Sequence, residues 1–449
     1  MNIVVPIEAQ FIIDTLEDND FEAYVVGGCV RDAILGAEPK DWDVCTNALP
    51  HQIMKCFQSF RIIETGLHHG TVTIVLNNKP FEITTYRIDG EHSDNRRPDK
   101  VYFVGCLKED LARRDFTINA MAYNPNKGLV DYFGGLQDIE NKLIRCVGNA
   151  DARFKEDALR IMRALRFSSV LNFEIEREAE IAIINNKDLL TGIAAERIAS
   201  ELSGLLCGEN AVHALHYSPC MLTLAVVIPE IRKMFGFYQN NPYHHLDVWH
   251  HTAMAVGQAP PDLIIRLALL FHDIGKPHCY TEDKKGGHFY GHAKISAEIT
   301  EAMLRHLKYS NEILKSVTEL VMYHDATLSP RRKYIKRWLN RIGEVQFRRL
   351  IEVKRADTLA HHPDHRKQRL DVLASVEAVL DEIISQGQCF SLKDLAINGR
   401  DLISLGVPQG IEIGKMLNHL MYMVIDEQVE NNKTSLLNAT QNFNKHKQI

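Results

Sequence analysis

The sequence predicts an α+β chain of several domains, with an α/β head followed by a mostly helical remainder. Three observations carry this. At 449 residues the chain is too long for a single ordinary core. Strand-like runs are confined to its first third, and from about Ile139 onward the apolar residues recur at helical spacing. The expected divisions are a head over residues 1–138, a helical neck over 139–239, a histidine-dense region over 240–365 and a helical C-terminal region over 366–449.

In the head, a helix from about Pro6 to Glu17 precedes a strand at Ala23–Val26 and a helix near Val30–Leu35. Further strand signals fall at Asp43–Thr46, Thr71–Leu76 and Phe81–Arg87, the last two joined by a hairpin turn at Asn77-Asn78-Lys79-Pro80. The polar, charged run from Ile88 to Lys100 reads as a mobile loop. In the neck, Ala158, Ile161, Met162 and Leu165 share one helical face, and Ile193, Ile198 and Leu202 recur in the same way. Asn240-Asn241-Pro242-Tyr243 marks a boundary before the histidines.

Composition bounds the function. Hydrophobic residues make up 45% and charged residues 24%, as in a soluble globular protein. The N-terminus has no secretory pattern, and no apolar run is long enough to span a bilayer, so a cytoplasmic protein is expected. Nine cysteines without a Cys-x-x-Cys pair argue against a zinc ribbon or redox motif and read as buried, reduced thiols. A net charge of −6 gives no nucleic-acid signal over the whole chain. Local basic clusters remain: Arg96-Arg97 with Lys100, Arg113-Arg114, and a denser stretch from Arg331 through Arg341 to Arg348-Arg349, which serves equally as a solvated helix face or an RNA footprint.

The most informative feature is Asp41-Trp42-Asp43, close behind Gly27-Gly28-Cys29-Val30-Arg31. Two carboxylates at i and i+2 on a strand share a face and can bind one cluster of divalent cations. A glycine pair between strand and helix offers bare N–H groups to phosphate. Together they suggest a site for a nucleoside triphosphate and its metals.

This opening motif resembles that of the class II tRNA nucleotidyltransferases and bacterial poly(A) polymerases, within the DNA polymerase beta superfamily. The likeness continues through Arg113-Arg114-Asp115-Phe116-Thr117-Ile118-Asn119, the helix motif Glu156-Asp157-Ala158-Leu159-Arg160, and Ala195-Glu196-Arg197-Ile198. It implies a polymerase-beta-like head in which Asp41 and Asp43 hold Mg2+, with Glu82 as a third carboxylate or else a surface residue. Gly28 and Arg31 would contact phosphates, and Arg114, Asp115 and Asn119 would position the incoming nucleotide.

Asp157 and Arg160, three apart on a helix, are expected as neighbours on its surface. A carboxylate beside a guanidinium complements the edge shared by cytosine and adenine, an amino donor next to a ring-nitrogen acceptor. Guanine and uracil would leave polar groups unpaired there. Arg163 and Arg166 continue the spacing but rotate away from that face, and are assigned to phosphate or neck contacts.

His251, His272-Asp273 and Asp357 have the order of an HD domain, with His292 and His324 as further ligands for a second ion. The resemblance implies a divalent transition metal there, with phosphohydrolase activity as a possible second function. His244, His245 and His250 read as packed bystanders. The implied function is addition of CCA to the 3′ acceptor arm of tRNA from CTP and ATP, recognising RNA by shape rather than sequence. A poly(A) polymerase or a CC-only or A-only relative is the alternative; the loop at Asp89–Lys100, which resembles a flexible loop of the CCA-adding members, favours complete addition. A pure HD phosphohydrolase and a non-catalytic RNA-binding protein are the readings from other classes.

Overall fold

The computed structural model describes residues 2–90, 101–240, 242–284 and 286–447. The chain packs into two compact units, Met1–Arg232 with His306–Lys308, and Lys233–Arg305 with Tyr309–Ile449. The expected head and the neck as far as Arg232 fall in the first; residues 233–239 of the neck, and the histidine-dense and C-terminal regions apart from His306–Lys308, fall in the second.

The first unit opens with α1 (Ile7–Glu17), β1 (Ala23–Val26), α2 (Gly28–Ile34), β2 (Val44–Thr46), α3 (Pro50–Cys56) and β3 (Arg61–Ile63). There follow β4 (Thr71–Leu76), β5 (Lys79–Thr85), the small pair β6 (Arg87–Asp89) and β7 (Val101–Phe103), α4 (Leu107–Ala112), β8 (Met121–Asn124) and β9 (Gly128–Asp131). Seven strands form one sheet in the order β3-β4-β5-β2-β1-β8-β9. Every residue of the central β1 is buried.

The β4–β5 hairpin turns on two residues rather than four. Asn77 and Asn78 both have positive φ (50° and 63°), and Leu76 pairs directly with Lys79. Such a turn matches the twist of the strands, and asparagine tolerates the left-handed region it needs. Lys79 and Pro80 therefore belong to β5, and Arg87, expected to end it, starts β6 instead. Residues 91–100 of the expected loop, with Arg96, Arg97 and Lys100, lie outside the described residues, as does Asn241 of the expected boundary.

The helical part of this unit contains α5 (Gly135–Glu140), the short pair β10 (Leu143–Ile144) and β11 (Glu174–Ile175), α6 (Ala150–Glu156), α7 (Leu159–Leu171), α8 (Arg177–Asn186), α9 (Ala195–Leu206), α10 (Ala211–His216) and α11 (Ser218–Val227). Ile161, Met162 and Leu165 of α7, and Ile198 and Leu202 of α9, are buried as their spacing demands. Gly204 lets α9 approach α7, since a Cβ there would lie 2.4 Å from Arg166 Cδ.

The second unit holds α12 (Val248–Gln258), α13 (Leu263–Phe271), the hairpin β12 (Thr281–Asp283) and β13 (Gly286–His288), α14 (His292–His306), α15 (Asn311–Tyr323) and α16 (Arg332–Ala360). It ends with α17 (Lys367–Ser385), α18 (Gly399–Ser404), α19 (Ile411–Ile425) and α20 (Lys433–Lys447). The run called α16 is two helices joined at Gly343, whose φ of 77° no helix contains. Part of its basic stretch is tied to carboxylates: Arg332 to Glu382, Arg337 to Asp426 through two bonds of 2.8 Å, and Arg348 to Glu344 and Asp381. Among the described residues, no helix is long and apolar enough to cross a membrane. All nine cysteines are unpaired, but not all are buried as expected: Cys106 is exposed, and Cys56, Cys207 and Cys279 are half-buried.

Candidate active site and histidine–aspartate cluster

Asp41 and Asp43 do not lie on a strand, as expected, but in the extended segment entering β2. Its backbone is already paired there, since Val26 N–H donates to the Asp43 carbonyl at 3.0 Å. The parallel register of β2 on β5 sets Val44 beside Ile83, and one step back it sets Asp43 beside Glu82. Glu82 is thus a neighbour of the pair. Burial, then the charges of Asp41 and Glu82, push the Asp43 carboxyl up to about 6. Three carboxylates held together against their repulsion form a donor set suited to hard divalent cations.

Next to them, β1 ends at Gly27, with φ 85° and ψ −128°, and α2 begins. The positive φ of Gly27 is one that side-chain-bearing residues rarely adopt, so the turn needs glycine for its conformation. Arg114 reaches Asp110 at 3.5 Å.

From the start of α2 a polar chain runs inward. Arg31 donates through Nε and Nη2 to Asp32 Oδ1 (2.8 and 2.6 Å) and through Nη1 to Asn119 Oδ1 (2.6 Å). Asn119 Nδ2 donates to Asp115 Oδ1 at 3.1 Å, and Arg163 Nε donates to Asp115 Oδ2 at 2.7 Å. Burial alone would raise the Asp115 carboxyl. Arg163, the Asn119 amide, Arg160 and the Phe116 N–H outweigh it and hold Asp115 at about 2.

The structure corrects the picture of Asp157 and Arg160. They do not share a helix: Asp157, with φ −141° and ψ 102°, breaks the run between α6 and α7. The Asp157 carboxylate caps α7 by accepting from Leu159 N (3.0 Å) and pairs with Arg197 Nη2 (3.0 Å). Arg160 turns to Glu156 Oε2 (2.7 Å) and to the carbonyl of Arg113 (2.9 Å). Arg166 makes a neck contact, Nε to Glu201 Oε2 of α9 at 2.6 Å. The roles of Arg197 and Glu201 escaped sequence reasoning; the only signal was their place in and just after the Ala195-Glu196-Arg197-Ile198 motif.

In the second unit, chain segments far apart in sequence bring all six expected ligands together. They form two groups with ligand atoms within 4.8 Å of one another: His251, His272 and Asp357, and Asp273, His292 and His324. His251 Nε2 lies 2.9 Å from Asp357 Oδ1, His272 Nε2 lies 3.1 Å from Asp273 Oδ2, and His292 and His324 meet Nε2 to Nε2 at 3.1 Å. The other ring nitrogen of three of them contacts the backbone carbonyl three residues earlier: His272 on Leu269 (2.7 Å), His292 on Phe289 (2.9 Å) and His324 on Val321 (2.6 Å). His272 and His324 follow α13 and α15 directly, where helix carbonyls lack partners. These contacts turn each Nε2 toward the cluster.

His250 sits instead on Asp247 Oδ1 at 2.7 Å. His244, read as a bystander, lies with His251 and His361 in a third group whose ligand atoms are within 4.8 Å of one another. His361 was missed, although it follows Asp357 by four residues, directly after the helix that carries Asp357 ends. Lys276 Nζ lies 2.6 Å from Asp273 Oδ2 and 2.7 Å from Gln239 Oε1. A cleft of about 330 Å³ opens on the cluster, lined in part by Tyr243, Tyr290, His361 and Arg369.

A glycine turn beside three carboxylates, on this sheet, is the arrangement expected of a nucleotidyltransferase. Residues 23–145 match the poly(A) polymerase head domain, 172–217 an RNA- and SrmB-binding site of polymerase A, and 288–440 tRNA nucleotidyltransferase domain 2. A CCA-adding enzyme of Lactobacillus helveticus is 33% identical over 96% of this chain and 95% of its own length. Another, of Lacticaseibacillus paracasei, is 34% identical over 95% and 94%. The Bacillus stearothermophilus CCA-adding enzyme, solved in complex with CTP, superposes with a TM-score of 0.71 at 29% identity, covering 98% of each chain. The chain belongs to the CCA-adding enzyme family.

Proposed function

We propose that this chain adds CCA to the 3′ end of tRNA, using CTP and ATP and releasing pyrophosphate. The observation that carries the reading is the convergence of Asp41, Asp43 and Glu82 beside the glycine turn and the Arg31–Asn119–Asp115–Arg163 chain. The carboxylates suit Mg2+, which when bound neutralises triphosphate charge and activates the attacking 3′-hydroxyl. Gly28 and Arg31 take the phosphates, Arg31 through its planar fork of donors. Arg114 and Asp115 support the sugar and phosphates from below.

Base choice falls to Asp157 and Arg160. The Asp157 carboxylate keeps acceptor capacity beyond its bonds to Arg197 and Leu159, enough for the amino group of cytosine or adenine. Arg160 supplies the donor for the adjoining ring nitrogen. Carbonyl-bearing guanine and uracil would meet the carboxylate unpaired.

The test is a tRNA transcript lacking CCA, offered each labelled triphosphate singly and together. Two CMP additions followed by one AMP are expected, and none from Asp41→Ala/Asp43→Ala. Long A tracts, or C or A alone, would move the chain to one of the narrower relatives.

A second activity is supported by the histidine–aspartate cluster. Mixed imidazole and carboxylate donors suit Mn2+, Fe2+, Co2+ or Zn2+. The buried His272 Nε2, 3.1 Å from Asp273 Oδ2 and 3.5 Å from Asp357 Oδ1, stands between the two carboxylates of that donor set. Such a centre is suited to metal-dependent phosphate-ester hydrolysis, as in an HD domain. Release of p-nitrophenol from p-nitrophenyl phosphate by Mn2+-loaded protein, absent in Asp273→Ala, checks this.

A further inference from the structure

Three guanidinium groups surround one aromatic ring in the first unit. The centres of Arg31, Arg163 and Arg166 lie 4.9, 5.7 and 4.3 Å from the centroid of Phe167, and Phe116 meets the same ring edge-on at 5.8 Å. Phe167 is 4% exposed. Each guanidinium has its own carboxylate, Asp32, Asp115 and Glu201 in turn, so the cage is neutral as a whole. The three arginines come from α2, at the glycine turn, and from two turns of α7, the helix that Asp157 caps.

A ring face attracts a guanidinium without occupying the edge from which its N–H groups donate. Contact with Phe167 therefore fixes where Arg31 and Arg163 stand while leaving their edges to Asp32, Asn119 and Asp115. We infer that Phe167 is a positioning residue for the incoming nucleotide, setting the distance between the phosphate grip at Arg31 and the base-selecting end of α7. The inference rests on the nucleotidyl-transfer reading above. It requires the ring, not merely a buried apolar volume.

Full-length Phe167→Leu and Phe167→Tyr are compared with wild type for KM and kcat with CTP and with ATP, for equilibrium CTP binding, and for thermal midpoint. In Phe167→Leu, KM for both triphosphates should rise about tenfold with kcat within about twofold, whereas Phe167→Tyr should stay near wild type. An unchanged KM in Phe167→Leu, or equal losses in Phe167→Tyr, overturns the assignment, and a lowered midpoint with unchanged KM reduces Phe167 to a core residue. Should Phe167→Leu not fold, Phe167→Met, which also fills the space without a ring, is judged by the same criteria. A wild type that binds neither triphosphate overturns the nucleotidyl-transfer reading itself, an outcome separable from the others.

Discussion

Arg197 Nη2 lies 3.0 Å from Asp157 Oδ2, across 40 residues of sequence, so that α9 holds the carboxylate at the break between α6 and α7. The proposed base reader is thus oriented by Arg197 of α9 together with the Leu159 N–H at the start of α7.

Removing that anchor should loosen base choice. Arg197→Gln is expected to raise misincorporation of GTP and UTP relative to CTP by roughly tenfold, with a smaller loss of overall rate. Single-turnover incorporation with each triphosphate measures it; unaltered discrimination would separate Asp157 from base selection.

The carboxylate trio predicts a trade between stability and activity. The Asp43 carboxyl is raised to about 6, so above that pH its charge works against the fold. Glu82→Gln removes one repelling neighbour. In EDTA at pH 7.5 its melting temperature should exceed that of wild type, the difference shrinking toward pH 5 as Asp43 protonates, while incorporation with Mg2+ falls at least about a hundredfold. A melting temperature below wild type at pH 7.5 would contradict this account.

Asp115 behaves in the opposite sense. Its carboxyl is held at about 2 against an ordinary 3.8, so the ionised form favours the fold. That contribution is fully present above about pH 4 and is lost as pH falls from there toward 2. Asp115→Asn should cost about 2 kcal/mol at pH 7 and flatten the acid limb of the stability curve, as read by urea unfolding from pH 7 to 3.

At the second cluster, Asp273 and Asp357 overcome burial and raise the His272 imidazole to about 10. A cation must displace that proton, so uptake of Mn2+ or Zn2+ at pH 7 should release about one proton and weaken as pH falls. Calorimetry in two buffers of different ionisation enthalpy reads the number. Asp273→Ala should abolish uptake while leaving CCA addition within about twofold of wild type.

Much of this was legible in the chain because it depends on local chemistry. Asn77-Asn78 announced a hairpin because asparagine tolerates positive φ. The helix Leu263–Phe271 coincides with a run that is apolar in the sequence except at Arg266. What failed was long-range. Nothing in Glu156-Asp157-Ala158 betrays that a carboxylate there prefers Arg197 and the Leu159 N–H to helical continuation. Likewise Gly343 interrupts α16 in a sequence with no proline to mark the stop. His244 looked like packing because its partners, His251 and His361, are supplied by other segments.

The carbonyl contacts of His272, His292 and His324 carry one more consequence. Each contact already holds the rotamer of its ring. Little conformational entropy then remains for an arriving ion to remove. The cluster is a preformed socket: chelation would empty it without unravelling the helices, and exchange of one metal for another would leave the surrounding architecture in place.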